Sequence, residues 1–113
     1  MVKYEIQFLE PAKDFLDKLD VKAREKILFN IWKSKVTNNP RLFKKLTGEI
    51  WEFRTVFNNN QFRLFAFWDK NEADMTLVIA THGFIKKSQK TPKKEIEKAE
   101  ILRKTYFETD KNK

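Results

Sequence analysis

The sequence predicts an α+β domain in the order β-α-α-β-β-β-α: two N-terminal helices packed on a mainly antiparallel four-stranded sheet, with a C-terminal helix. Three observations carry that expectation. Strand-like segments cluster in the second half of the chain, separated by turn-forming residues. Helix-start signals occur at Pro11, at Asp20 and at Thr91-Pro92. No repeat, low-complexity run or Gly/Ser linker divides the 113 residues, so residues 1–113 read as one domain.

Taken in order, YEIQFL (4–9) alternates as a short strand does. Pro11 suits the first turn of a helix that carries Phe15, Leu16 and Leu19 on one side. Asp20 caps a longer helix, where Ile27, Leu28, Ile31, Trp32 and Val36 follow the spacing of a core-facing stripe. NNP (38–40) stops it, and RLFKKLTG (41–48) reads as a connector. IWEFRTVF (50–57), QFRLFAFW (61–68) and MTLVIATH (75–82) are strands, joined by Asn58, Asn59 and Asn60 and by DKNEAD (69–74). Asparagine tolerates positive φ, so an all-Asn tip is a hairpin signal. The basic stretch HGFIKKSQKTPKK (82–94) then reads as a loop, either merely solvated or built to handle an anion. The last helix begins at Thr91-Pro92 with the stripe Ile96, Ala99, Leu102 and Tyr106, and residues 108–113 read as a fraying tail.

Composition bounds the function. A chain of 113 residues buries enough surface for one core, and eleven Phe and three Trp supply it. There is no cysteine, which excludes disulfides and thiolate-held metals, and the single histidine leaves too few ligands for an ordinary zinc site. No metal or other cofactor is expected. The start MVKYEIQFLE lacks an uninterrupted apolar segment of signal length, and the longest apolar run, LFAFW (64–68), is too short to span a membrane. A cytoplasmic protein without a membrane partner is the expectation. A net charge of +8 and a pI near 9.7 point to an anionic partner: nucleic acid, ribosome, an acidic protein or, behind these, a lipid surface.

Side chains alternate across a strand, so register can be argued. With Asn59 and Asn60 as the turn residues, Phe57 faces Phe62. Trp51, Phe53, Thr55 and Phe57 then share an apolar face with Phe62, Leu64, Ala66 and Trp68. Pairing Phe57 with Gln61 would instead set Arg63, uncompensated, among aromatics. The second face carries Glu52, Arg54, Val56, Arg63, Phe65 and Phe67. Pairing Trp68 with Met75 sends Met75, Leu77, Ile79 and Thr81 to the core face, and Thr76, Val78, Ala80 and His82 to the arginine face. Arg63 is then expected between Val56 and Ala80, with His82 diagonal to it and Lys86 and Lys87 at the edge. The last helix is expected to cover Phe65 and Phe67 through Ile96, Ala99 and Leu102, leaving a basic cleft rimmed by HGFIKKSQKTP. Singly, Arg54 can pair with Glu52 or Glu49, a lone His82 is more often structural than catalytic, and each lysine is simply solvated; the combination favours a site.

The run LTGEIWEFRTVFNNNQFRLFAFW (46–68), followed by HGFIKKSQKTPKKEIEKAE (82–100), resembles the HigB-like branch of the RelE/ParE toxin superfamily, the toxins of bacterial type II toxin–antitoxin pairs. The resemblance implies a ribosome-dependent mRNA endonuclease that needs no metal and is silenced by a cognate helix-turn-helix antitoxin. By position in the motif, Arg54 and Arg63 match the family's two strand cations, Lys86 or Lys87 the cation after the last strand, and His82 a group at the strand end. Catalysis is expected of Arg54, Arg63, His82 and Lys86, and RNA or ribosome contact of Lys87, Lys90, Gln89, Lys44 and Lys45. Some relatives use a C-terminal tyrosine, for which the candidate is Tyr106. In the chemistry implied, arginines stabilise the charge that grows on phosphate while a group such as His82 transfers a proton. Two other readings stand beside it: a ParE-like poison of DNA gyrase that cuts no RNA, and a passive RNA- or ribosome-binding module.

Overall fold

In the computed structural model, residues 4–70 and 76–111 are described. Their elements are β1 (Glu5–Phe8), α1 (Glu10–Lys18), α2 (Val21–Val36), β2 (Phe43–Thr47), β3 (Ile50–Phe57), β4 (Asn60–Asp69), β5 (Leu77–Lys86) and α3 (Lys93–Lys111). The α+β class and the helix order are as expected. The sheet has five strands rather than four, in the order β1-β5-β4-β3-β2, with β1 parallel to β5 and the other pairs antiparallel. The extra strand is β2, inside the stretch expected to be a connector. A bulge between Lys45 and Thr47 breaks its period of two, so no alternation is visible. Its anchor is Phe43, which pairs with Phe53 and stacks on it with ring centroids 4.1 Å apart. Gly48, at φ +54°, makes the tight return to β3.

The helix boundaries follow local chemistry. The Asp20 carboxylate accepts the Ala23 N–H at 2.9 Å, a cap that stabilises α2 by about 1 kcal/mol. Pro11 sits in the first turn of α1, and Glu95 N–H bonds the Pro92 carbonyl at the start of α3. α1 and α2 pack on one face of the sheet. Ala12, Leu16, Ala23, Ile27 and Ile31 meet Phe53, Phe62, Leu64, Ala66, Val78 and Ala80 there. A buried bond from the Asn30 amide to the Thr55 hydroxyl fixes α2 over β3. The α2 stripe needs correction: Ile27 and Ile31 are buried, whereas Leu28 and Trp32 face solvent. α3 covers the other face, as expected. Ala99 and Ile96 pack with Phe65 and Ile50, and Phe67 meets the rings of Tyr106 and Phe107. The helix continues through Lys111, into residues read as tail. No helix among the described residues is long and apolar enough to cross a membrane.

Two register expectations changed. Asn58 and Asn59, both at positive φ, form the first turn, so Phe57 pairs with Asn60 rather than Phe62. That slip is two residues, and an even slip leaves every side chain on its face. The second hairpin differs by an odd number. Trp68 pairs with Val78, and the expected partner Met75 lies outside the described residues, as does most of the DKNEAD turn. Val78 and Ala80 therefore join the α1/α2 core, and Leu77 and Ile79 turn to the α3 side. A bulge then sets Thr81 and His82 opposite the single residue Phe65, which restores parity beyond it. His82 reaches the α3 side for this reason, not for the one the sequence offered. Arg63 lies between Arg54 and Phe84, not between Val56 and Ala80.

Candidate functional site

β5 continues through HGFIK instead of ending at His82, and Gly83 is what lets it do so. The Phe15 ring of α1 rests on the Gly83 backbone, where any Cβ would collide with it. The longer strand carries Lys86 beside the tip of the β3–β4 hairpin, opposite Gln61. There the sheet opens into a cleft of about 750 Å³, lined by Arg54, Asn59, Asn60, Gln61, Arg63, Ile85, Lys86, Lys87, Ser88 and Gln89. Among the described residues the lining holds four cations and no acid, and none of them comes from α3. A larger depression between Gly48 and α3, about 940 Å³, mixes Glu49, Glu100 and Glu108 with Arg103 and Lys104 and favours neither sign.

Arg54 and Arg63 stand directly opposite each other across two strands, a like-charge pair that is unfavourable unless offset. Glu52 supplies the offset, with its Oε1 3.4 Å from Arg63 Nε and both side chains buried. The two atoms attract as charges without being aligned for a hydrogen bond. Arg63 also donates from Nη1 to the Phe62 carbonyl at 3.1 Å and from Nη2 to Gln61 Oε1 at 2.9 Å. Burial lowers its pKa, Glu52 opposes that, and Arg54 adds to it; an arginine stays cationic throughout. Arg63 is thus a buried, preset charge in the cleft floor. Arg54 is half-exposed and has no ion pair among the described residues. It meets neither Glu52 nor Glu49.

His82 does not line the cleft. It is 2% exposed, with Nε2 3.1 Å from Glu95 Oε1 and Nδ1 3.1 Å from the Thr81 hydroxyl. The rings of Phe65 and Phe84 close around it. Burial, then the charge of Lys98, lowers its pKa against the pull of Glu95, so the neutral ring is favoured. The tautomer that fits carries its proton on Nε2, donating to Glu95. This histidine fastens the start of α3 to β5.

Lys86, Lys87 and Gln89 come together with the two arginines, whereas Lys90 is exposed outside the lining. Lys44 stands on β2 opposite Glu52, and Lys45 lines a separate depression beside Trp51 and Trp68. Neither reaches the cleft. Tyr106 is turned to Asp69, bonding its carboxylate at 2.7 Å. Glu52, Gln61 and the hairpin residues Asn59 and Asn60 are site residues that the sequence reading does not single out. The spacing of Gln61 and Arg63, two apart on one strand face, was the available signal for Gln61. Chemically, the cleft can hold a phosphodiester through charge-assisted hydrogen bonds.

Comparison with known proteins bears on the family and the fold. A family model described as "Phage derived protein Gp49-like (DUF891)" matches residues 14–104. No curated protein matches by sequence. Among solved structures, a chain of the toxin–antitoxin complex RelBE2 from Mycobacterium tuberculosis is similar, with a TM-score of 0.56 and 19% identity, covering 75% of this chain and 100% of that one. At that identity the likeness speaks for the fold.

Proposed function

The chain belongs to the phage-derived Gp49-like family, and we propose that it is the toxin of a toxin–antitoxin pair that cleaves mRNA on the ribosome. The observation that carries this reading is the acid-free cleft, where Arg54, Arg63, Lys86 and Lys87 converge at the open end of the sheet. The fold it shares with a chain of a toxin–antitoxin complex supports the pairing with an antitoxin.

In this reading a message phosphate sits against Arg54 and Lys86, with Arg63 beneath. The ribose 2′-oxygen attacks the adjacent phosphorus, the bond from phosphorus to the 5′-oxygen breaks, and a 2′,3′-cyclic phosphate and a 5′-hydroxyl result. One proton leaves the 2′-hydroxyl and one is delivered to the departing oxygen. Charge builds on the phosphoryl oxygens at the transition state, where the fixed cations bind it more strongly than in the ground state. His82 is buried against Glu95, so proton transfer falls to a cleft lysine or to the ribosome. In-line placement of the RNA is the ribosome's share.

One observation favours a second reading. Among the described residues the cleft lining contains no histidine, tyrosine or carboxylate, as expected of a module that grips phosphate without cutting it. Induction in a bacterium with mapping of message 5′ ends separates the two. New ends inside coding regions, lost when initiation is blocked, are expected. Unchanged transcripts with stalled ribosomes would leave the gripping module, and gyrase–DNA breaks would point to a different target.

A further inference from the structure

We propose that the outward face of α2 is a docking surface for a partner protein, which lays an acidic amphipathic helix along it. The helix is apolar on two sides. One side is buried against the sheet. The other leaves Val21 56%, Leu28 40%, Phe29 51% and Trp32 55% exposed. At about 100° per residue, these four positions fall in a single arc that runs the length of the helix. Scattered exposed hydrophobics are ordinary, but four on one helix face mark an interaction surface. Two are aromatic and lie 5.9 Å apart between ring centroids, the residue type that anchors interfaces.

Charge identifies the occupant. Lys22, Lys26 and Lys33 border one side of the arc, all exposed and without an ion pair among the described residues. Lys26 Nζ lies 5.8 Å from the Phe29 ring centroid. On the opposite border Lys35 already pairs with Glu5, and Arg24 bonds the Leu16 carbonyl. Unsatisfied positive charge therefore runs beside the stripe on one edge, matching a helix whose apolar face is flanked by carboxylates. A second copy of this chain would bring the same lysines, and a molecule of net charge +8 repels itself. An anionic lipid surface would spread its charge over the whole arc, Glu25 included, whereas a helix sets its carboxylates along the lysine edge and apolar side chains over the arc itself.

α2 packs on β3 from the side opposite Arg54 and Arg63, so the partner and the cleft occupy different faces of the sheet. The inference does not depend on the chemistry assigned to the cleft.

The test titrates the whole protein, by calorimetry at low salt, with a synthetic helical peptide of leucines at three-to-four spacing flanked by glutamates. Saturable one-to-one binding is expected, weakened at least tenfold by Phe29→Ser with Trp32→Ser and by Lys22→Glu with Lys26→Glu. The same peptide with lysine in place of glutamate should not bind. Phe29 and Trp32 contribute little to the core, so the serine variant should fold and bind single-stranded RNA as the parent does. Equal peptide affinity in the variants, or loss of binding on Arg54→Ala, would overturn the proposal. So would self-association abolished by the serine substitutions, or binding to anionic vesicles without binding to the peptide.

Discussion

Arg54 and Arg63 share one cleft and differ in what their removal does. Arg54 is half-exposed and has no ion pair among the described residues, so Arg54→Ala should leave the denaturation midpoint nearly unchanged while lowering message cleavage by about 100-fold or more. Arg63→Ala strands a buried carboxylate. It should cost about 3–5 kcal/mol of stability, with much of that restored by adding Glu52→Gln and none of the cleavage returning. A double variant as unstable as the single one would show that Glu52 is not the partner that matters. His82 makes a pH-dependent claim. Its folded pKa lies below the usual 6.5, so below that value the unfolded chain binds a proton that the folded chain refuses. This contribution to stability is fully present above 6.5 and declines as pH falls toward the folded pKa. Urea midpoints between about pH 8 and pH 5 should drop more steeply for the parent than for His82→Gln. Equal slopes would contradict a buried neutral ring. The site's residue types were legible in the sequence because charge and strand parity suffice to group Arg54 with Arg63. Their burial was not legible, because it depends on Glu52 and on how far α3 extends over the sheet.

At the scale of elements, legibility followed from whether a strand keeps its period. β3 and β4 alternate without interruption, and even a turn placed one residue late left their faces correct. β2 and β5 each contain a bulge, which no alternation rule anticipates, so alternation neither reveals β2 nor carries the parity of β5 across its bulge. α2 misled for another reason: a helix apolar on two sides offers two stripes, and spacing alone does not say which one meets the sheet. Gly83 belongs to this scale as well. It reads as a loop glycine beside lysines, yet it lies inside β5 because Phe15 of α1 packs on its backbone. Gly83→Ala should destabilise the fold by about 1–3 kcal/mol through overpacking, and Phe15→Leu should recover part of that loss. A thermal melt of the two variants checks it. An alanine variant as stable as the parent would mean that α1 shifts freely, and the position of Lys86 would then not depend on this contact.

For the whole molecule, the net charge of +8 alone would let RNA settle anywhere, so what has to be tested is localisation. Lysines lie on both sides of the sheet: Lys22, Lys26 and Lys33 along α2, and Lys86 and Lys87 with the two arginines in the cleft. Single-stranded RNA gripped by the four cleft cations should bind with a logarithmic salt slope near −3, at about 0.7 per neutralised phosphate. Removing Arg54 and Lys86 together should flatten that slope by about 1.4, because two phosphate contacts disappear. Removing Lys22 and Lys26 deletes the same charge from the opposite face and should leave the slope where it was. The two double variants have equal net charge, so any difference between them reports position rather than total charge. If both flatten the slope equally, the RNA is held by the molecule's general basicity, and the cleft loses its claim to be the site.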